Sequence, residues 1–212
     1  MSEPVPDLLR DLCGRFEAIE GLWSPAQRGK RPKLLGANDI APTAVLNRFL
    51  VPGIYGQIFF AGRFPKFIEQ DVASSDDYVC FDIDSDQVDF VLLCNDVFPA
   101  LTDAFGSYRA ALETDAVVSA ADFEKVRAQS KTKPDSDGRN GVIRLWPVCF
   151  MDDLLCRRSF DLSAEEVVEG LAPHCERAEL RNNGALIIAT TELLTGAAMD
   201  EVDARLRRAL QG

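Results

Sequence analysis

Asp82, Asp84 and Asp86 stand at alternate positions in the run Phe81-Asp82-Ile83-Asp84-Ser85-Asp86. Three carboxylates at this spacing open a calcium loop of the EF-hand type, where they gather oxygens round a hard cation. The rest of that loop is missing. Gln87 stands where the sharp turn needs glycine, and Leu93 stands where the bidentate glutamate belongs. The pattern reads instead as exposed acids, with Asp82 and Asp84 on one face of a strand and Asp86 in the turn beyond it. Together with Asp89 they are the candidate contacts for a partner, and no metal is expected.

Asp152-Asp153 is the second carboxylate pair. Paired carboxylates serve acid–base chemistry or hold magnesium. Here Leu154-Leu155 follows at once, so capping a helix is the stronger reading. His174 is the one histidine. A nucleophile–histidine–acid arrangement needs only one, with Cys175, Cys156 or a serine as its partner. The chain has no G-x-S-x-G elbow, no P-loop, no G-x-G-x-x-G and no H-E-x-x-H. His174 therefore reads as a surface or capping residue. No catalytic residue is assigned and no cofactor is expected.

The charge is strongly one-sided. The 212 residues carry a net charge of −11, and residues 51–100 hold two basic against nine acidic residues. Such a chain repels nucleic acid and anionic membrane, and attracts a basic partner wherever its acids share a face. The alternative is that the acids only keep the protein soluble. The basic cluster Arg28, Lys30, Arg31 and Lys33 reads as a solvated loop. No apolar run reaches the roughly 18 residues of a membrane span. Met1-Ser2-Glu3-Pro4 shows no secretory signal. The six cysteines lack C-x-x-C spacing, and several lie in apolar runs such as Val79-Cys80-Phe81. They read as reduced thiols in a cytoplasmic protein.

The elements that must position these residues follow from periodicity. Leu8, Leu12, Phe16 and Ile19 predict a helix over 6–20. Ser24 to Pro42 reads as a loop, and Thr43 as the start of a short helix. Tyr55 to Phe60 and Tyr78 to Asp84 predict strands, and Val88 to Cys94 a further strand antiparallel to the second. Asn95 or Asp96 would cap the next helix. Ser119 and Asp122 resemble a capping box, with Phe123 and Val126 facing inward. Lys131 to Asn140 reads as a mobile loop and Val142 to Phe150 as a strand whose internal Pro147 argues for an edge position or a bulge. Ser163 and Glu166 form a capping box, Asn183-Gly184 marks a hairpin between two strands, and a last helix starts near Ala197.

The fold class is α+β. A mainly antiparallel sheet of about five strands should carry the helices on one face. Residues 1–212 are read as a single domain, with 1–50 as an appendage of helix and basic loop.

Three runs carry a resemblance. They are Val97-Phe98-Pro99-Ala100-Leu101 with Ala104-Phe105-Gly106 and Tyr108-Arg109-Ala110, then Arg144-Leu145-Trp146-Pro147-Val148, then Leu155-Cys156-Arg157-Arg158-Ser159-Phe160. Over about residues 78–210 the chain resembles immunity-type proteins encoded beside bacterial polymorphic toxins. The resemblance implies a cytoplasmic protein that binds and blocks a toxin without catalysis, and it carries over no site residue. Two functions are therefore expected to compete. One is an acidic, non-catalytic binding protein for a basic partner such as a toxin. The other is a small cytosolic enzyme using carboxylates near Asp152 and Asp153.

Overall fold

Leu9, Leu12, Cys13 and Phe16 recur at helical spacing, and all four are buried on one side of α1 (Val5–Glu17). This stripe is what holds the helix, because isolated helices of this length are marginal in water. The computed structural model describes residues 5–36, 41–61, 76–129, 131–132 and 135–211. The start of the chain (1–4) and parts of the two polar loops (37–40 and 133–134) lie outside the described residues. The chain divides into two compact units, Met1–Phe105 and Gly106–Gly212.

In the first unit, four antiparallel strands lie in sequence order: β1 (Leu34–Leu35), β2 (Thr43–Val45), β3 (Ile54–Phe60) and β4 (Asp77–Ile83). Ile54, Gly56, Ile58 and Phe60 of β3 are buried, and the residues between them are more open. The Phe16 ring of α1 meets Phe81 of β4 edge to face at 6.3 Å, so α1 packs on this inner face. Gly56 lies opposite Phe81. A Cβ there would stand 2.5 Å from the Phe81 ring, so glycine lets the aromatic side chain cross the strand.

Three expectations fail in this unit. Thr43 begins strand β2 rather than a helix, because β-branched Thr43 and Val45 flank a buried Ala44 with a period of two. Only Asn47–Phe49 forms a short 3₁₀ turn. Val88 to Cys94 is not a strand. The Asp89 carboxylate accepts the Leu92 N–H at 3.0 Å and caps a helix, α2 (residues 90–105), so neither Asn95 nor Asp96 is the cap. This helix runs from Phe90–Leu92 through a π-helical turn, Leu93–Val97, into Phe98–Phe105. An N-cap aspartate outweighs the β-propensity of Val88 and Val91.

The second unit has four antiparallel strands in the order β5 (Arg109–Ala111), β6 (Val148–Asp152), β8 (Gly184–Ile188) and β7 (Arg177–Arg181). Every residue of β8 is buried, as its continuous apolar run requires of a central strand. Cys149, Met151, Ala185 and Ile187 share a core with Val118 of α3 (Ala116–Gln129), Leu155 of α4 (Asp153–Phe160), Val167 of α5 (Ala164–Leu171) and Leu206 of α6 (Ala197–Gln211). The hairpin between β7 and β8 turns on Asn182 and Asn183, both at positive φ (46° and 60°), one residue before the expected Asn-Gly pair. Gly184 is a strand residue. A Cβ on it would lie 2.5 Å from the Phe150 ring and 2.6 Å from the Met151 carbonyl oxygen.

The α+β class and the antiparallel pairing are as read from the sequence, but the strands form two sheets of four rather than one of about five. The reason is α2, a helix where a strand was expected, which separates the two sets along the chain. Pro147 also moves an expected boundary. It precedes β6 instead of interrupting it, so β6 is free to pair on both sides. The 135–140 stretch, expected to be mobile, is held by its own acids. Asp135 accepts from Arg139 N–H at 2.6 Å, and Asp137 accepts from Ile143 N–H and pairs with Arg109, each at 2.9 Å.

Candidate partner-binding surface

The outer face of the first sheet follows from the pleat. Residues of β4 alternate, leaving Tyr78, Cys80 and Asp82 exposed. The register places Phe59 opposite Tyr78, Gln57 opposite Cys80 and Tyr55 opposite Asp82. Val45 lies beside Gln57 on β2, and Leu35 lies beside Thr43 on β1. Tyr55 is 47% exposed and Tyr78 43%, while Leu35 and Val45 are similarly open. Phe59 and Tyr78 stack with ring centroids 4.4 Å apart. The face therefore combines a cross-strand aromatic pair, a second tyrosine and two aliphatic side chains with the Asp82 carboxylate. Exposed apolar groups gathered in this way mark interaction surfaces, and tyrosine is enriched at their centres.

The four candidate acids take different positions. Asp82 projects from the sheet face beside Tyr55. Asp84 lies just beyond β4, which ends at Ile83, and is only half-buried. Its N–H donates to the Gly53 carbonyl at 2.8 Å, and its carboxylate accepts from the Asp86 N–H at 3.1 Å and from Gln87 Nε2. Asp84 thus builds the turn that follows β4. Gly53, at φ +87°, lets that turn approach closely, since a Cβ there would meet the Gln87 Cβ at 2.7 Å. Asp86 is exposed in the turn. Asp89 is exposed and spends one carboxylate oxygen capping α2. The calcium-like spacing therefore serves a strand and the turn after it, and the neighbouring Asp89 caps a helix.

The other candidate residues are engaged in structure. Asp152 accepts the Leu155 N–H at 2.7 Å as the N-cap of α4. Asp153 accepts the Ala164 N–H at 2.9 Å and pairs with Arg157 at 2.7 Å. The Arg157 hydrogen bond, then the Ala164 N–H, hold its carboxyl below the ordinary range. Ser163 and Glu166 complete their capping box. His174 is exposed in a 3₁₀ turn after α5. In the basic loop, Arg31 pairs with Glu17, and Lys30 donates to Ala26 and Gln27. None of the six cysteines lies in a disulfide. Burial pushes Cys149 and Cys156 up to about 12 and Cys13 and Cys175 up to about 11. Thiols held this high are poor nucleophiles at neutral pH.

Sequence reading missed the charged network of the second unit. Asp122, placed in a capping box by its sequence position, is buried in α3, and the cap is Asp115, which accepts the Val117 N–H at 2.8 Å. Phe123, expected inside, is 64% exposed. Arg144 is buried, and its guanidinium pairs with Asp122, reaches Asp200 at 2.8 Å and lies 5.4 Å from the Trp146 ring centroid. Lys125 also holds Asp122, at 2.8 Å. A cavity of about 300 Å³ adjoins this cluster. The guanidinium is already met by two carboxylates, so the cluster orders α3 and α6 round the segment before β6. The signal was an arginine set directly against the apolar run Leu145-Trp146, where burial demands a partner. The aromatic sheet face was also legible, by following the alternation of 55, 57 and 59 against 78, 80 and 82.

Among the described residues no helix is long and apolar enough to cross a membrane. Comparison with known proteins returns nothing: no family model matches the chain, and neither does any curated protein or solved structure.

Proposed function

We propose that this chain is a non-catalytic binding protein of the immunity type, which acts in the cytoplasm and neutralises a basic toxin by covering it with the outer face of the first sheet. The observation that carries the reading is the joining of Asp82 to Tyr55, Tyr78 and Val45 on one open face. Tyrosines supply contact area at low entropic cost, and they become binding hot spots where they are desolvated. Acids at and around the face, Asp82 and Asp86 first, would steer a positively charged partner and speed encounter. The enzyme alternative has less to stand on, because Asp152 and Asp153 are spent on backbone N–H groups and on Arg157.

The test starts with affinity capture from the native host, identification of a basic protein, and assay of its toxic activity with and without this chain. Association is then followed for Asp82→Asn and dissociation for Tyr55→Ala. Asp84 is left in place because it builds the turn. Inhibition of the toxin is expected, with slower association for the first variant and faster dissociation for the second. Unchanged rates for both would remove the sheet face from the interface. Turnover of a small molecule by the wild-type chain would replace the binding reading with the enzyme one.

A further inference from the structure

Within the first unit, the end of α1 and one side of α2 enclose an open groove of about 800 Å³. The α2 wall is a single stripe, Leu92, Asp96, Ala100, Asp103 and Ala104, at the spacing that puts side chains on one helix face. The facing wall includes Arg15, Ala18 and Glu20. The groove exists because three lining positions are alanine, where longer side chains would fill it. Its lining is mostly apolar, with Leu92 39% exposed at one end. Its polar groups are of one sign in effect. Arg15 is neutralised by Asp11 at 2.6 Å and donates to the Ala104 carbonyl at 2.6 Å. Glu20 and Asp96 are the exposed acids of the lining. Asp96 also sits in the π-helical turn of α2, Leu93–Val97, and such turns recur at functional sites.

We infer that this groove is a second docking site, and that it takes a basic amphipathic helix of the partner protein. An apolar helix stripe would lie along the alanine floor, and lysine or arginine side chains on its flanks would meet Asp96 and Glu20. Recognition of this kind is the helix-in-groove mode, read through anchors at helical spacing. The inference rests on the proposed function for the existence of a protein partner, and the sign of its charge is read from Glu20 and Asp96 of the groove itself. The groove and the sheet face are separate surfaces with separate residues.

The probe is a fluorescein-labelled peptide of leucine and lysine patterned as an amphipathic helix, and the readout is fluorescence anisotropy against the full chain. A matched leucine–glutamate peptide is the control. The lysine peptide is expected to bind and the glutamate peptide to stay free. Ala100→Leu fills the floor without changing charge, uses a good helix former, and should weaken binding about tenfold or more. Asp96→Asn should weaken binding and flatten its salt dependence. Leu92→Ser, at an exposed position, repeats the apolar test should Ala100→Leu melt early. Asp82→Asn should leave peptide affinity unchanged. The inference is overturned by an absence of binding, by full affinity in both Ala100→Leu and Leu92→Ser, or by equal losses in Asp82→Asn and Asp96→Asn, which would mean diffuse attraction to acid. Loss of the groove with a working sheet face leaves the proposed function intact, and unchanged partner kinetics in Asp82→Asn with a working groove removes only the sheet face.

Discussion

Replacing Asp122 by asparagine removes one charge from a buried pair and leaves the side-chain shape almost unchanged. The Asp122 side chain is 9% exposed and that of Arg144 is 4%, so the guanidinium would be left in a poorly hydrated place. Removing one member of such a pair costs about 3–5 kcal/mol, chiefly because the other charge stays buried. Asp200 remains on Arg144, but it is largely exposed and contributes about 1 kcal/mol or less. The expected loss is therefore near the lower end, about 3 kcal/mol. With a urea slope of roughly 1–3 kcal/mol/M, the unfolding midpoint should fall by roughly 1–3 M. Asp200→Asn, measured alongside, should lose about 1 kcal/mol at most. The pH dependence gives an independent check. Burial raises the Asp122 carboxyl, but the hydrogen bonds and charges of Arg144 and Lys125 outweigh it and hold the carboxyl below its ordinary value. A group lowered in the folded state contributes stability that is complete above its unfolded pKa, about 4 for aspartate, and is lost as pH falls through the folded value. The gap between wild type and Asp122→Asn should thus be widest near neutral pH and close as the pH drops below about 4. Equal losses in Asp122→Asn and Asp200→Asn, or a gap that does not change with pH, would refute the argument that the buried pair orders this unit.

Two further outcomes follow from packing. Gly184→Ala would place a methyl group 2.5 Å from the Phe150 ring in the centre of the second sheet, so it should destabilise by about 1–3 kcal/mol, read by the same urea titration; an unchanged midpoint would mean that Phe150 yields freely. Thiol titration should find one fast-reacting cysteine in the native protein, Cys80, which is exposed, with Cys13, Cys94, Cys149 and Cys156 protected until denaturant releases all six; fewer than six thiols in denaturant without reductant would mean that some pair as disulfides.

Elements whose signals are local were legible in the sequence. The stripe of α1, the capping box at Ser163, the two asparagines before Gly184 and the apolar run of β8 each depend on neighbours within a few residues. What escaped depends on distance or on a competing cap. Val88 to Cys94 has strand-like composition, and one aspartate at 89 turns it into a helix. The strand Arg109–Ala111 is three residues long, with no apolar pattern of its own, and exists because Met151, Phe150 and Cys149 lie beside it. Asp122 and Arg144 are 22 residues apart in the chain, and nothing in either local pattern says that they meet. The spacing of Asp82, Asp84 and Asp86 reads as one strand pattern, but β4 ends at Ile83, so the pattern runs on from a strand into a turn held by contacts to Gly53 and Gln87.

The same geometry bears on how the total charge should be read. A general acid or base works best with a pKa near the working pH, which for a carboxylate means an upward shift. The carboxylates that the fold perturbs here move the other way. Asp115 is lowered by the Gly196 N–H, Asp153 by Arg157, Glu166 by the Ser163 N–H, and Glu179 by Arg177. For Asp122 and Glu176 burial works upward, and hydrogen bonds overcome it. Among the described residues these acids belong to the second unit, where they cap helices, pair with arginine or, at Glu176, accept from threonines, and they are held as anions by those contacts. The acids left to face solvent at the sheet and the groove, Asp82, Asp86, Glu20 and Asp96, belong to the first unit. Six carboxylates of the second unit are thus spent on caps, arginines and threonines, while Asp82, Asp86, Glu20 and Asp96 of the first stand exposed beside the tyrosines and the groove.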